Sequence, residues 1–238
     1  MCFSAEASFT AGTILSAIGV LCLAMIPFKA QHTTMTADQR NSLFYLASVP
    51  SIFGFHQITE GFVWLDPTNT MAVRTFAYIA YCFWPTFTPF AVYYMEKSRN
   101  FCKTEADSLQ MKRISFITNM AIPVGTLLFL CVLAEEPLQV SMENGHVRYL
   151  TCQTWIPDPI IQAFRVWYGV TAISGLFYSS VKYASLFGMT TGFAFMLSIV
   201  LYEAEFESTW CYFSAVLSVV VVVSVWAELE SYPPLKKL

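Results

Sequence analysis

The chain has 238 residues, of which 56% are hydrophobic and only 12% charged, with a formal net charge of −3. Soluble domains carry roughly 25% charged residues, so too few charges are present to cover a water-soluble fold of this apolarity. A weakly acidic balance also excludes nucleic acid as a partner, and the lipid bilayer is the expected surrounding.

An apolar helix needs about 20 residues to cross a bilayer. Seven such segments follow one another, at 8–28, 42–64, 71–95, 114–134, 158–180, 183–204 and 208–227. The period-2 alternation of a membrane barrel is absent, and lipid leaves an open backbone no partner, so these segments are helical. The fold class is therefore all-α: a single domain, 1–238, forming an integral membrane bundle of seven transmembrane helices.

The start, MCFSAEASF, has no Lys or Arg before the first apolar run, which predicts an uncleaved first span. Pro50, Pro85, Pro89 and Pro123 fall inside spans, where they kink helices and free carbonyls. Between the fourth and fifth spans, LQVSMENGHVRYL alternates around Asn144-Gly145, a turn signal that predicts a β-hairpin near 138–150. It is expected to form a flap over the outer mouth, with His146 solvated at its tip. Trp64, Trp155, Trp210 and Trp226 lie near span ends and are expected as interfacial anchors.

Orientation follows from the basic residues in the loops. With the N-terminus outside, the cytoplasmic segments hold Lys29, Arg40, Lys97, Arg99, Lys103, Lys112, Arg113, Lys182, Lys236 and Lys237, ten of the thirteen Lys and Arg. Arg74 and Arg148 lie outside, and Arg165 sits within a span. The reading is N-terminus outside, C-terminus cytoplasmic. The acidic residues, from Glu6 and Glu60 to Glu203, Glu205 and Glu207, gather in the outer half.

Within FGFHQITEGFVWL, His56 and Glu60 are four residues apart and share a helix face, with Gln57 beside them. At 1.5 Å per residue, Glu60 lies roughly 6 Å and His56 roughly 12 Å inside the level of Trp64. Charges at such depth cost about 2.5–3.5 kcal/mol unless paired or solvated, so these groups are expected to face the bundle interior and to mark a site. Gln162, Arg165 and Tyr168 form a stripe on the fifth span at the same depth. The sixth ends with Glu203, and the seventh begins at Trp210 and Cys211.

Three arrangements are open. In the first, Cys2, His56, Glu60 and Cys211 hold a divalent metal such as zinc, since thiolate, imidazole and carboxylate are its ligands. In the second, the charges form an electrostatic knot in which Arg165 pairs with Glu60 or Glu203. In the third, disulfides join members of the set Cys2, Cys131, Cys152 and Cys211 on the oxidising side.

The start MCFSAEASF, the segment HQITEGFVW and the segment STWCYFSAVLS together resemble an uncharacterised family of bacterial polytopic membrane proteins beginning Met-Cys-Phe-Ser-Ala. The resemblance covers the whole chain and implies an inner-membrane location. It directs attention to Cys2, Ser4, Gln57, Glu60, Gly61, Trp64, Trp210 and Cys211. The seven-span topology is also similar to that of the membrane zinc hydrolases of the ceramidase and adiponectin-receptor group. That group needs three clustered His, and this chain has only His32, His56 and His146, on both sides and in one span.

The functional expectation is an acidic Cys/His/Glu-lined pocket at the outer face that binds a metal ion or a small or lipid ligand. If the protein is an enzyme, the chemistry is metal-assisted hydrolysis or redox conversion of a membrane-delivered substrate. Glu60 then acts as base or metal ligand, Arg165 holds an anion, and Gln57, Glu203 and Trp210 contact the ligand. The alternatives are a proton- or ion-coupled transporter or channel, and a non-catalytic receptor or assembly subunit.

Overall fold

A computed structural model describes residues 4–99, 104–135, 138–143, 146–149 and 156–235. The described chain forms seven successive helical rods and one small hairpin. The first rod, α1, runs Ala5–Ala30; Ser4 caps it by accepting the Ala7 N–H. The second, α2, runs Ala37–Leu65 and opens with a capping box between Thr36 and Gln39.

α1 and α2 pack along a seam of small residues. A side chain on Gly12 would run into Ile58 and the Gly54 carbonyl, and one on Gly19 would run into Ser51. Small residues let membrane helices approach backbone to backbone, which replaces the hydrophobic drive that lipid removes.

The third rod is composite: α3 is Thr70–Ala77, a wide π turn covers Tyr78–Phe83, and α4 is Trp84–Ser98. Pro85 explains the wide turn. It has no N–H to give the Tyr81 carbonyl, and its ring crowds that carbonyl, so the helix loosens just before it. The fourth rod, α5, is Glu105–Ala134, capped by Thr104 and Asp107.

The predicted hairpin is present, with β1 at Val140–Glu143 and β2 at His146–Tyr149, paired antiparallel with Val140 opposite Tyr149. Its turn residues, 144–145, lie outside the described residues. Val147 and Tyr149 point inward and are buried, and the His146 ring rests 5.4 Å from Tyr202. The remaining rods are α6 (Asp158–Tyr178), α7 (Ala184–Leu201) and the pair α8 (Phe206–Leu217) and α9 (Val219–Ser231). α8 and α9 meet at Ser218, whose hydroxyl turns back to the Ala215 carbonyl at 2.6 Å.

Among the described residues, five helical segments are long and apolar enough to cross a membrane: Ala5–Ala30, Glu105–Ala134, Pro159–Tyr178, Ala184–Leu201 and Phe206–Ser231. The other two rods fall short for visible reasons. α2 carries Asp38, Gln39 and Arg40 at one end and His56, Gln57 and Glu60 near the other. The third rod is divided by its π turn.

At the end opposite the hairpin lies a buried ionic knot. The Glu96 carboxylate accepts from the Ser179 hydroxyl at 2.8 Å, and from the Ser180 N–H and hydroxyl at 2.7 Å each. Arg99 pairs with Glu228 at 2.7 Å. Trp210 departs from expectation: it is 5% exposed and packs in the core against Tyr168, Phe195 and Phe206 rather than anchoring at an interface. Trp226, at 52% exposure, suits the anchor role.

Candidate functional site

At the hairpin end, α2 turns a polar face inward. His56, Gln57 and Glu60 are all buried. The Trp84 indole N–H donates to His56 Nδ1 at 3.4 Å, and the imidazole lies 4.3 Å from the Phe76 ring. Ser208, on the first turn of α8, donates its hydroxyl to Glu60 Oε1 at 2.5 Å. Gln57 lies beside Glu60, but neither polar atom of its amide makes a well-formed hydrogen bond, and neither His56 Nε2, with the Phe76 backbone close to the ring, nor Thr209 Oγ1 makes one.

The hairpin closes this cluster from above. Tyr149 stacks on Phe76 with centroids 4.4 Å apart and planes 6° from parallel. Burial, and then the Glu60 charge, push the Tyr149 phenol well above its ordinary range, so it stays protonated with a buried hydroxyl that has no partner.

Next to this cluster is a partly open pocket between the π turn, α5, α6 and α8. Its walls are largely apolar, from Leu128, Ile161, Phe164, Phe206 and Trp210. One ion pair lies among them: Arg165 Nη2 to Glu207 Oε1 at 2.9 Å, with side chains only 11% and 8% exposed. The guanidinium also sits 5.2 Å from the Phe206 ring centroid. Arg165 Nε and Glu207 Oε2 are buried with no hydrogen-bond partner. The pair therefore holds one spare donor and one spare acceptor, both covered by neighbouring atoms.

The inner side of the pocket is fixed by Tyr168, whose hydroxyl donates to the Ala80 carbonyl at 2.7 Å. Ala80 lies within the π turn. The wide turn thus supplies the acceptor that holds Tyr168 in place.

The sequence candidates divide into three groups. Arg165, Trp210 and Cys211 meet at the pocket. His56, Gln57 and Glu60 form the sealed cluster beside it and do not line it. Glu203 is exposed and takes a hydrogen bond from Gln162 Nε2 at 3.0 Å. Arg165 thus pairs with Glu207, whereas Glu60 and Glu203 were the expected partners. The helical spacing held the signal for this: Glu207 stands three and four residues before Trp210 and Cys211, on their face of α8.

Cys2 and Cys152 lie outside the described residues. Among the described residues, no three His, Cys, Asp or Glu side chains gather as metal ligands, so the expected zinc-type set gains no support. Cys131 and Cys211 are not joined to each other.

The fold and site define a helical protein of membrane type, with a sealed polar cluster and a largely apolar pocket at one end. A family of unknown function, DUF6629, matches residues 1–234, and the chain belongs to it. No curated protein and no solved structure matches the chain.

Proposed function

We propose that the protein crosses the membrane seven times, N-terminus outside, and binds a small amphipathic molecule in the pocket at the hairpin end. The observation that carries this reading is the Arg165–Glu207 pair set in an apolar wall, with Arg165 Nε and Glu207 Oε2 both unpartnered. Buried polar atoms in native proteins find partners, and a ligand head that both accepts and donates satisfies the two. The pair cancels its own charge, so the fitting head is neutral or zwitterionic, and Arg165 is not a free anion holder. The apolar remainder of the ligand rests on Leu128, Phe164 and Phe206.

Because Glu60 does not line the pocket, binding is favoured over turnover with Glu60 as base. The layer below the pocket has no charged side chain among its described lining residues, which disfavours a continuous ion path. The test is to purify the protein in lipid nanodiscs and identify co-retained small molecules by mass spectrometry, with Arg165→Gln and Glu207→Gln beside the native chain. Retention by the native chain and its loss in both variants is the expected result. Retention unaffected by either variant sinks the reading. A reporter fused to the C-terminus that is active only in the cytoplasm checks the orientation.

A further inference from the structure

A second, partly open pocket lies below the first, between α2, α4, α6, α7 and α8. The two share three wall residues, Tyr168, Trp210 and Cys211. They lie end to end along the same helices. On α6 the first meets Ile161 through Tyr168, and the second meets Tyr168, Ala172 and Leu176. At 1.5 Å per residue, Ile161 to Leu176 covers roughly 22 Å, against about 30 Å for the hydrocarbon core of a bilayer.

The chambers differ in chemistry. The first holds the ion pair. The second is walled mainly by Val49, Phe53, Val92, Leu176 and Phe187, with the hydroxyls of Thr88, Thr191 and Ser214 among its polar side-chain groups, and has no charged side chain among its described lining residues. A largely apolar chamber with one ion pair in its wall, stacked on a chamber with none and sharing a wall with it, matches a molecule having a compact head and one long tail.

We propose that the ligand is a single-chain lipid, with its head at Arg165 and Glu207 and its alkyl chain passing Tyr168, Trp210 and Cys211 into the second chamber. This rests on the head-binding reading above and adds the tail. A tail taken from the bilayer gains little from burial as such, because lipid is as apolar as the chamber. The chamber therefore selects by length and shape. Ala91 and Ala172 set that shape, since both line it and neither fills it.

The experiment measures binding of monooctanoylglycerol and monopalmitoylglycerol to nanodisc-embedded protein by intact-complex mass spectrometry, with palmitate as a head lacking a spare donor at neutral pH. The native chain is compared with Ala91→Phe, Ala172→Phe and Arg165→Gln. The expected result is that either filled-chamber variant loses the palmitoyl ligand at least tenfold while keeping the octanoyl one. Equal binding of the palmitoyl ligand by native and filled variants overturns the proposal, because the tail then lies elsewhere. Octanoyl binding that ignores Arg165→Gln instead overturns the head reading. Palmitate bound as well as the glyceride supports the tail and removes the donor–acceptor rule for the head. Should both filled variants lose both ligands, a palmitoyl glyceride brominated near the chain end decides the matter. Quenching of native fluorescence that Trp84→Phe diminishes supports the proposal, since Trp84 lines the second chamber, and quenching indifferent to Trp84 overturns it.

Discussion

Ser208 on α8 donates its hydroxyl to Glu60 on α2 at 2.5 Å, joining two helices 148 positions apart in the chain through a fully buried contact. The Glu60 carboxylate has no Lys or Arg ion pair among the described residues, so this hydrogen bond is a principal compensation for its burial. Ser208→Ala removes the donor and leaves the acceptor buried. The expected loss is about 1–3 kcal/mol, read as a lower unfolding midpoint in detergent, and Ser208→Thr restores most of it. An unchanged midpoint for Ser208→Ala means that the contact contributes nothing.

The Arg165–Glu207 pair predicts a non-additive cycle. Removing one partner leaves an uncompensated buried charge and costs about 3–5 kcal/mol. The double variant Arg165→Gln with Glu207→Gln leaves no charge behind and is expected to be more stable than either single one. Thermal unfolding of the four proteins measures the coupling; simple additivity counts against a functional pair.

The small-residue seam predicts that Gly54→Val is severe. The added atoms would meet Ser16 and the Gly12 carbonyl, which belong to backbone or are close to it and cannot swing aside. Overpacking of this kind costs about 1–3 kcal/mol or more. Gly192→Ala, where the new atom meets only Ile173 at 3.8 Å, is expected to be close to neutral by the same assay.

At the opposite end, Tyr232 donates to Glu228 Oε1 at 3.4 Å. Burial, then the Glu228 charge, push the phenol from 10.0 up to about 12. The group is raised in the folded state, so its contribution is fully present below about pH 10 and is lost as pH rises toward 12, where the unfolded chain deprotonates first. Stability should therefore fall over that alkaline window, and Tyr232→Phe should flatten the decline. The same slope in both proteins assigns the effect elsewhere.

How far the sequence carried can be judged residue by residue. The apolar runs located all seven rods, and Asn144-Gly145 marked the hairpin, because periodicity and turn chemistry are local. The depth of His56, Gln57 and Glu60 followed from counting along one helix. The partners did not. Arg165 stood equally well opposite Glu60 or Glu203, and only the packing of α6 on α8 gave it Glu207 instead. Pro85 announced a disturbed helix, but not that the disturbance would be a wide turn presenting the Ala80 carbonyl to Tyr168. The Glu96–Arg99–Glu228 knot escaped because each member sits near a helix end, where charges read as solvated, and only the convergence of α4, the α6–α7 link and α9 buries them.

The close seam between α1 and α2 has a bearing on traffic. With Gly12 against Gly54 and Gly19 against Ser51, that flank has no gap through which an alkyl chain could slip sideways. Leu128, Ile161 and Phe164, which line the pocket and are each only partly buried, stand on the flank formed by α5 and α6. On the proposed reading, a ligand arriving from the bilayer enters on that α5–α6 flank, past these three side chains.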